Sequence, residues 1–465
     1  MKDLANSAFV NRLKETAPVR IIVGSFFLII VLGTLLLTLP ISSRDGTFTN
    51  LLDAAFTSTS ATCVTGLVVM DTWTHWNLFG QIVILFLIQV GGLGVVTFTT
   101  GFTLLFRRRL GLRDLRLAQE NTNGNAMGMA HLIRMILIFT FTCEAVGAIV
   151  FCFRFIPLYG AGQGIWISIF LAVSAYCNAG FDILGFIQPY GNLMPFANDP
   201  LVCITVSFLI ILGGLGFVVI SDVYFSKLYP TLRRKKRIHL NFHSVVVLTM
   251  SGFLLVAGTI LYMVCEYNNV MADAGFFEKL NMSFLQATSM RTAGFASVNL
   301  GAEEDITKII SVVMMFIGAS PGSTGGGIKT TTFVVLAATV ISAMRGYDET
   351  ILHKRKIDKS VVYRALAIFT IALLIVLITT GVILVSNPDH SVSAVDALFE
   401  ATSAFGTVGL SAVGTQHLSE ISHIALILTM FIGRVGPLSL GLAITMKRGR
   451  NAGASVLPEG KIIVG

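Results

Sequence analysis

Four short stretches of this chain are versions of one another at nearly even spacing. Thr62-Cys63-Val64-Thr65-Gly66-Leu67 returns as Tyr176-Cys177-Asn178-Ala179-Gly180-Phe181, as Met290-Arg291-Thr292-Ala293-Gly294-Phe295 and as Phe405-Gly406-Thr407-Val408-Gly409-Leu410. Their glycines lie 114, 114 and 115 residues apart, and a phenylalanine stands ten residues before each (Phe56, Phe170, Phe284, Phe399). Self-similarity at a fixed period marks repeated structural units that bury their faces against one another. The fold must therefore hold four equivalent glycine turns, each after a short helix, and four such turns can form a ring.

The units belong in a membrane. Of 465 residues 54% are hydrophobic and 12% charged, against roughly a quarter charged in a soluble domain. Apolar runs at 19–39, 132–156, 245–264 and 361–385 read as first spans, and those at 78–106, 201–225, 306–344 and 421–446 as second spans. The run at 19–39 is long for a cleaved signal peptide and reads as a retained helix. The expected fold class is an all-α membrane protein: four pseudo-symmetric span, pore-loop, span repeats around a central pore, with eight transmembrane helices and four pore helices. The repeats divide the chain at 1–131, 132–244, 245–360 and 361–465.

Charge placement gives the orientation. Segments 1–20, 107–134, 226–243, 343–364 and 446–465 hold 26 of the 33 Lys and Arg, so both termini and the inter-repeat loops are expected in the cytoplasm, with the glycine motifs facing out. The runs Arg107-Arg108-Arg109 and Arg233-Arg234-Lys235-Lys236-Arg237 read as topology determinants, with binding of anionic lipid or a cytoplasmic partner as the alternative. The net charge of +8 is thus not a nucleic-acid signal. The six cysteines lack metal-ligand spacing and read as small core residues.

The segment before each glycine is too short to cross. Residues 50–61 make a helix of about 18 Å, half the bilayer, with Asn50 as N-cap and Asp53 in the first turn; Ser393 and Asp396 repeat the arrangement. A half-crossing helix must return, and its returning backbone has to line water or be buried in protein.

Backbone carbonyl rings replace the water shell of a monovalent cation without binding it too tightly to leave, and turning consecutive carbonyls one way needs positive φ, which glycine tolerates. The candidate filter is Cys63, Val64, Thr65 and Gly66; Cys177, Asn178, Ala179 and Gly180; Arg291, Thr292, Ala293 and Gly294; and Gly406, Thr407, Val408 and Gly409. A single glycine would more readily be a helix-packing residue; the same offset four times favours the filter. No run of carboxylates lies in the motifs, whereas Thr65, Asn178, Thr292 and Thr407 offer neutral oxygens, which suits a monovalent cation. Arg291 would repel an ion on the axis, so bracing through a carboxylate or carbonyl is expected of it.

The third repeat's long second run is interrupted by Gly318-Ala319-Ser320-Pro321-Gly322-Ser323-Thr324-Gly325-Gly326-Gly327. Proline and five glycines in ten residues cannot stay helical. The other repeats carry Gly91-Gly92-Leu93-Gly94, Gly213-Gly214-Leu215-Gly216 and Gly433-Arg434-Val435-Gly436 at the matching level. A passive kink competes with a gate. Arg434, a charge in an apolar span, either holds such a gate through carbonyls or pairs with Glu400 or Glu144; Lys329 either acts alongside it or snorkels to the cytoplasm.

The chain resembles the Ktr/Trk/HKT superfamily of potassium transporters, in which one chain carries four span, pore-loop, span units. The blocks Ala61-Thr62-Cys63-Val64-Thr65-Gly66-Leu67, Ser403-Ala404-Phe405-Gly406-Thr407-Val408-Gly409-Leu410 and Phe431-Ile432-Gly433-Arg434-Val435-Gly436-Pro437-Leu438 carry the resemblance. It implies potassium selectivity where all four loops keep glycine, a serine at the place of Gly66 marking sodium-selective plant members. It implies that 318–330 is an intramembrane gating loop held by Arg434. With about eighteen residues before its first span, the chain looks like a bacterial KtrB-type subunit, although its glycine-rich loop is closer in wording to the Trk version. The resemblance further implies potassium uptake across the plasma (inner) membrane, a homodimer with one pore per protomer, and a cytoplasmic KtrA-like nucleotide-binding ring. The basic loops and the tail 458–465 would be its contact surfaces. The filter's potassium is cargo; no cofactor is expected in the chain, and sodium stimulation is left open.

Two other classes compete. An ion-coupled symporter with alternating access also uses repeats, but usually inverted ones, and these four share one orientation. An enzyme is not expected: the eight histidines lie mostly in loops or near span ends without an intramembrane partner, and no nucleotide fingerprint occurs.

Overall fold

The computed structural model describes residues 18–94, 126–228, 239–388 and 392–437. The basic runs at 107–109 and 233–237 and the tail 458–465 lie outside the described residues.

Each repeat lays down a first helix, a short helix and a second helix. Repeat one gives α1 (Pro18–Thr38), α2 (Leu51–Cys63) and α3 (Leu78–Leu93). In repeat two the first and short helices run on as α4 (Ala126–Cys177), bent at Gly160 (φ 78°) three residues after Pro157, and α5 (Pro200–Gly214) and α6 (Phe217–Val223) follow. Repeat three gives α7 (Phe242–Glu266), α8 (Phe276–Ser289), α9 (Asp305–Ile317) and α10 (Thr330–Met344). Repeat four gives α11 (Lys359–Ser386), α12 (Ala394–Gly406) and α13 (Glu420–Val435). The expected caps form: Asn50 Oδ1 accepts from Leu52 N at 3.0 Å and Ser393 Oγ from Asp396 N at 3.1 Å, filling donors that a helix start leaves open.

The interruption expected at 318–327 in repeat three is present, whereas the candidate second span at 201–225 is corrected from one helix to a bent pair. All four second helices stop after 13 to 16 residues at a glycine of positive φ: Gly94 (77°), Gly216 (90°), Gly318 (67°) and Gly436 (91°). A residue with a side chain resists that conformation, so the glycine clusters end the helices in every repeat. In repeat two the chain turns 96° before resuming, and in repeat three a loop separates α9 from α10. Three described helices are long and apolar enough to cross a membrane, four if the bent pair counts as one. The chain is also not wholly α: β1 (Ile351–Leu352) and β2 (Arg355–Lys356) form a small antiparallel hairpin before α11.

Packing runs in a circle. The second helix of each repeat lies on the short helix of the next: α3 on α4, α5 on α8, α9 on α12, and α13 back on α2. The buried cores follow the same seams. Phe170, Tyr176 and Phe181 share one with Ile84 and Leu87; Met290 and Met314 share a second with Phe399 and Val408; and Phe405, Leu426 and Met430 share a third with Phe56, Cys63 and Leu67. Of the four repeated phenylalanines, Phe56, Phe170 and Phe399 are wholly buried and Phe284 half-buried.

Candidate functional site

The four glycines meet. A methyl group built on Gly66 would lie 2.5 Å from Ala179 O, one on Gly180 2.7 Å from Ala293 O, one on Gly294 2.6 Å from Val408 O, and one on Gly409 would overlap Thr65 O. Each glycine therefore faces the carbonyl just before the next repeat's glycine, and the fourth closes on the first. Their φ values of 99°, 71°, 75° and 93° would strain a side chain independently of space.

A second set of strained residues sits two positions earlier. Val64 (φ 58°), Asn178 (60°), Thr292 (70°) and Thr407 (51°) are all left-handed, three of them β-branched. For such residues this region costs about 1–3 kcal/mol and persists only where surrounding structure imposes it. The sequence reading expected positive φ at the glycines alone.

Serine six residues before the glycine ties the turn to its helix. Ser60 Oγ donates to Leu67 O (2.7 Å) and accepts from Gly66 N (3.1 Å); Ser174 Oγ donates to Phe181 O (2.6 Å); Ser403 Oγ accepts from Gly409 N (3.1 Å). The signal was present, since Ser60, Ser174, Thr288 and Ser403 share one offset. In the third loop the Thr288 hydroxyl turns back to Phe284 O, and Arg291 braces instead, donating to Ser251 Oγ of α7 at 3.0 Å. Its partner is thus a hydroxyl rather than the carboxylate or carbonyl expected. Thr65, Thr292 and Thr407 each hold a buried hydroxyl with no partner among protein atoms. Asn178 differs, because its Oδ1 accepts from Thr324 Oγ1 (3.2 Å).

Beneath this ring lies the loop between α9 and α10, carrying Gly318, Ser320, Pro321, Gly322, Ser323, Thr324, Gly325, Gly326, Gly327 and Lys329. Its legs join at the neck, Ala319 N donating to Gly326 O (3.3 Å) and Thr330 N to Ala319 O (3.1 Å). It caps the exposed end of α5: Thr324 N donates to Gly213 O, Ser320 N to Gly214 O (3.3 Å each), and Phe217 N of α6 to Gly322 O (2.9 Å). Methyl groups on Gly325 and Gly326 would overlap the hydroxyls of Thr292 and Thr407. Arg434 donates to Thr324 O of the loop and to Gly91 O of α3, joining repeats one, three and four. No ion pair to Glu400 or Glu144 is present among the described residues: Glu400 accepts from Thr415 Oγ1, and Glu144 from Gln89 Nε2 and Cys177 Sγ. Lys329 does not snorkel; its ammonium folds back to Gly325 O (2.6 Å) and Gly326 O (3.3 Å).

Gly91, Gly213 and Gly433 have a further role. A methyl on each would overlap a carbonyl four residues before its own repeat's ring glycine, on Thr62, Tyr176 and Phe405. These glycines let the second helix touch the end of the short one.

Above the ring is a cavity of about 290 Å³ lined by all four ring glycines and by Asp71 and Asp182. Asp71 accepts from Trp73 N, Thr74 N and Tyr190 N. Burial pushes the Asp182 carboxyl up to about 7, against the lowering effect of Leu184 N–H and with Asp71 adding to the rise. Asn192, which nothing in the sequence singled out, reaches into the same place.

Apolar helices arranged as a closed cycle about backbone oxygens, with Asp71 and Asp182 at the mouth, are the architecture of a helical membrane protein. The chain belongs to the TrkH family of cation transport proteins, whose model matches residues 9–453. It is 35% identical to the Ktr system potassium uptake protein B of Bacillus subtilis, over 96% of this chain and 97% of the relative. It is 36% identical to the potassium/sodium uptake protein NtpJ of Enterococcus hirae, over 97% and 98%. Its fold matches the crystal structure of the potassium transporter TrkH from Vibrio parahaemolyticus with a TM-score of 0.69 at 16% identity, covering 90% of this chain and 84% of that one.

Proposed function

We propose that this chain is the ion-conducting subunit of a potassium uptake system in the plasma membrane, with eight spanning elements, four pore helices and one central pore per chain. Potassium crosses through the ring of glycine loops, and the loop at 318–329, held by Arg434, is the gate below it. The observation that carries this reading is the closure of the ring, each ring glycine against the carbonyl before the next. Left-handed residues alternating along each loop turn successive carbonyls toward the axis, and partnerless threonine hydroxyls add oxygens beside them. The short helices point their carbonyl ends inward, which favours a cation. The names of the curated relatives, three of them Ktr system potassium uptake proteins, support potassium as the cargo. A homodimer with a cytoplasmic nucleotide-binding ring completes the assembly, and the Ile351–Lys356 hairpin belongs to the basic loop between repeats three and four that the charge pattern assigns to the cytoplasm.

The test is potassium uptake in a host lacking its own transporters, comparing the wild type with Gly66→Ser, with and without sodium. The serine variant is expected to lose most of its preference for potassium over sodium. Unchanged preference at wild-type surface amounts would overturn the filter reading, and flux strictly coupled to a second ion would point to a carrier.

A further inference from the structure

The ring's glycine-to-carbonyl contacts repeat four times; its outer rim does not. A segment of repeat two, Tyr190-Gly191-Asn192-Leu193, crosses the mouth and touches three repeats. Tyr190 N donates to Asp71 Oδ2 (3.1 Å) and Tyr190 Oη to Val69 O (3.2 Å), both in repeat one. Asn192 Nδ2 donates to Gly180 O at 3.1 Å and lies 3.5 Å from Gly294 O, the carbonyls of two adjacent ring glycines. Its Oδ1 accepts from Ala296 N (3.3 Å), two residues past Gly294, and Leu193 N donates to Ala296 O (3.1 Å). Tyr190 is left-handed (φ 58°), which a bulky residue resists, and Asn192 (φ 48°) takes the same region, which asparagine tolerates.

We propose that Asn192 is a positioning residue for ion selection: its carboxamide straps the second loop to the third and fixes the spacing of the outermost carbonyls. The inference rests on the filter reading above. One amide has the right chemistry, since its NH₂ meets a carbonyl in one loop while its oxygen meets an N–H in the next. Discrimination between two monovalent cations depends on the number and disposition of such oxygens. A strap on one seam sets those oxygens where the threonine layer below cannot.

The experiment measures potassium and sodium uptake in the same cells, because the ratio is independent of how much protein reaches the membrane. Asn192→Leu keeps the bulk and removes both bonds; the preference for potassium is expected to fall about tenfold. Asn192→Asp keeps the acceptor toward Ala296 N but turns an acceptor-only oxygen toward Gly180 O and Gly294 O, so a fall at least as large as in the leucine variant is expected. If the leucine variant does not reach the membrane, Asn192→Ser, too short for either bond, takes its place. A packing role alone would lower uptake of both ions together and leave the ratio unchanged; that result, with Gly66→Ser abolishing preference in the same assay, overturns the strap. Unchanged ratios in Gly66→Ser as well would overturn the filter reading instead.

Discussion

The glycine ring and the loop beneath it occupy one axis but are built in opposite ways. The ring is four versions of one turn, each glycine resting on its neighbour's carbonyl, so no loop can shift without disturbing the next. The inner loop is a single copy from repeat three that reaches Gly213 and Asn178 in repeat two, Thr407 in repeat four and, through Arg434, Gly91 in repeat one. A device repeated around an axis suits a fixed constriction. A lone segment held by hydrogen bonds to helix ends suits one that moves, since those bonds are individually modest, about 0.5–1.5 kcal/mol net.

The sharpest way to break that contrast is at the ring. Gly409→Ala adds a side chain at φ 93° against Thr65 O, a combination expected to cost about 3 kcal/mol or more. Potassium uptake should fall further than in Gly66→Ser, whose nearest carbonyl lies 2.5 Å from the added carbon, and the thermal midpoint of the purified protein should drop; near-normal values for both would mean that the ring yields easily. Gly91→Ala, against Thr62 O, should cost about 1–3 kcal/mol, whereas Gly24→Ala, in open space on α1, should be neutral or stabilising by about 0.5–1 kcal/mol. Equal shifts in the two variants' melting curves would contradict the close approach described.

At the inner loop the effect should reverse sign. Arg434→Gln removes the charge from the two carbonyl contacts, and Glycine-to-side-chain strain is not involved; uptake rate is expected to rise several-fold, a change of about 1 kcal/mol in the held state, with the potassium-to-sodium ratio unchanged. A fall in both rate and ratio would place Arg434 with the ring rather than the gate. The smallest effect belongs to the mouth. Asp182 is charged above about pH 7 and neutral below it, because burial raises its carboxyl. Moving the outside pH from 8 to 6 should therefore weaken apparent potassium affinity by roughly threefold as local attraction is lost, and Asp182→Asn should flatten that dependence.

The legible part was the part that repeats. Four glycines at even spacing, four phenylalanines ten residues earlier and the Asn50 and Ser393 caps all lay in one dimension, and even the serine tether could have been found by aligning the repeats. The breaks were half legible: the interruption at 318–327 was read from proline and glycine, and the clusters at Gly91, Gly213 and Gly433 stood out, but hydropathy carries on through those three, so their spans read as continuous. Local chemistry pointed Arg291 toward a carboxylate or carbonyl and not toward Ser251, because a hydroxyl on a neighbouring helix leaves no local mark.

From order and residue type alone came a membrane chain of four like units with a glycine turn in each, since period and apolar length are properties of a string. Contacts between distant residues were decided only in three dimensions: Asn192 at the rim, Arg434 on Gly91 and Thr324, and the left-handed strain at Val64, Thr292 and Thr407. Each of those depends on backbone groups brought together by the closing of the fourth unit on the first, and a peptide carbonyl looks the same at every position until the fold gives it a neighbour.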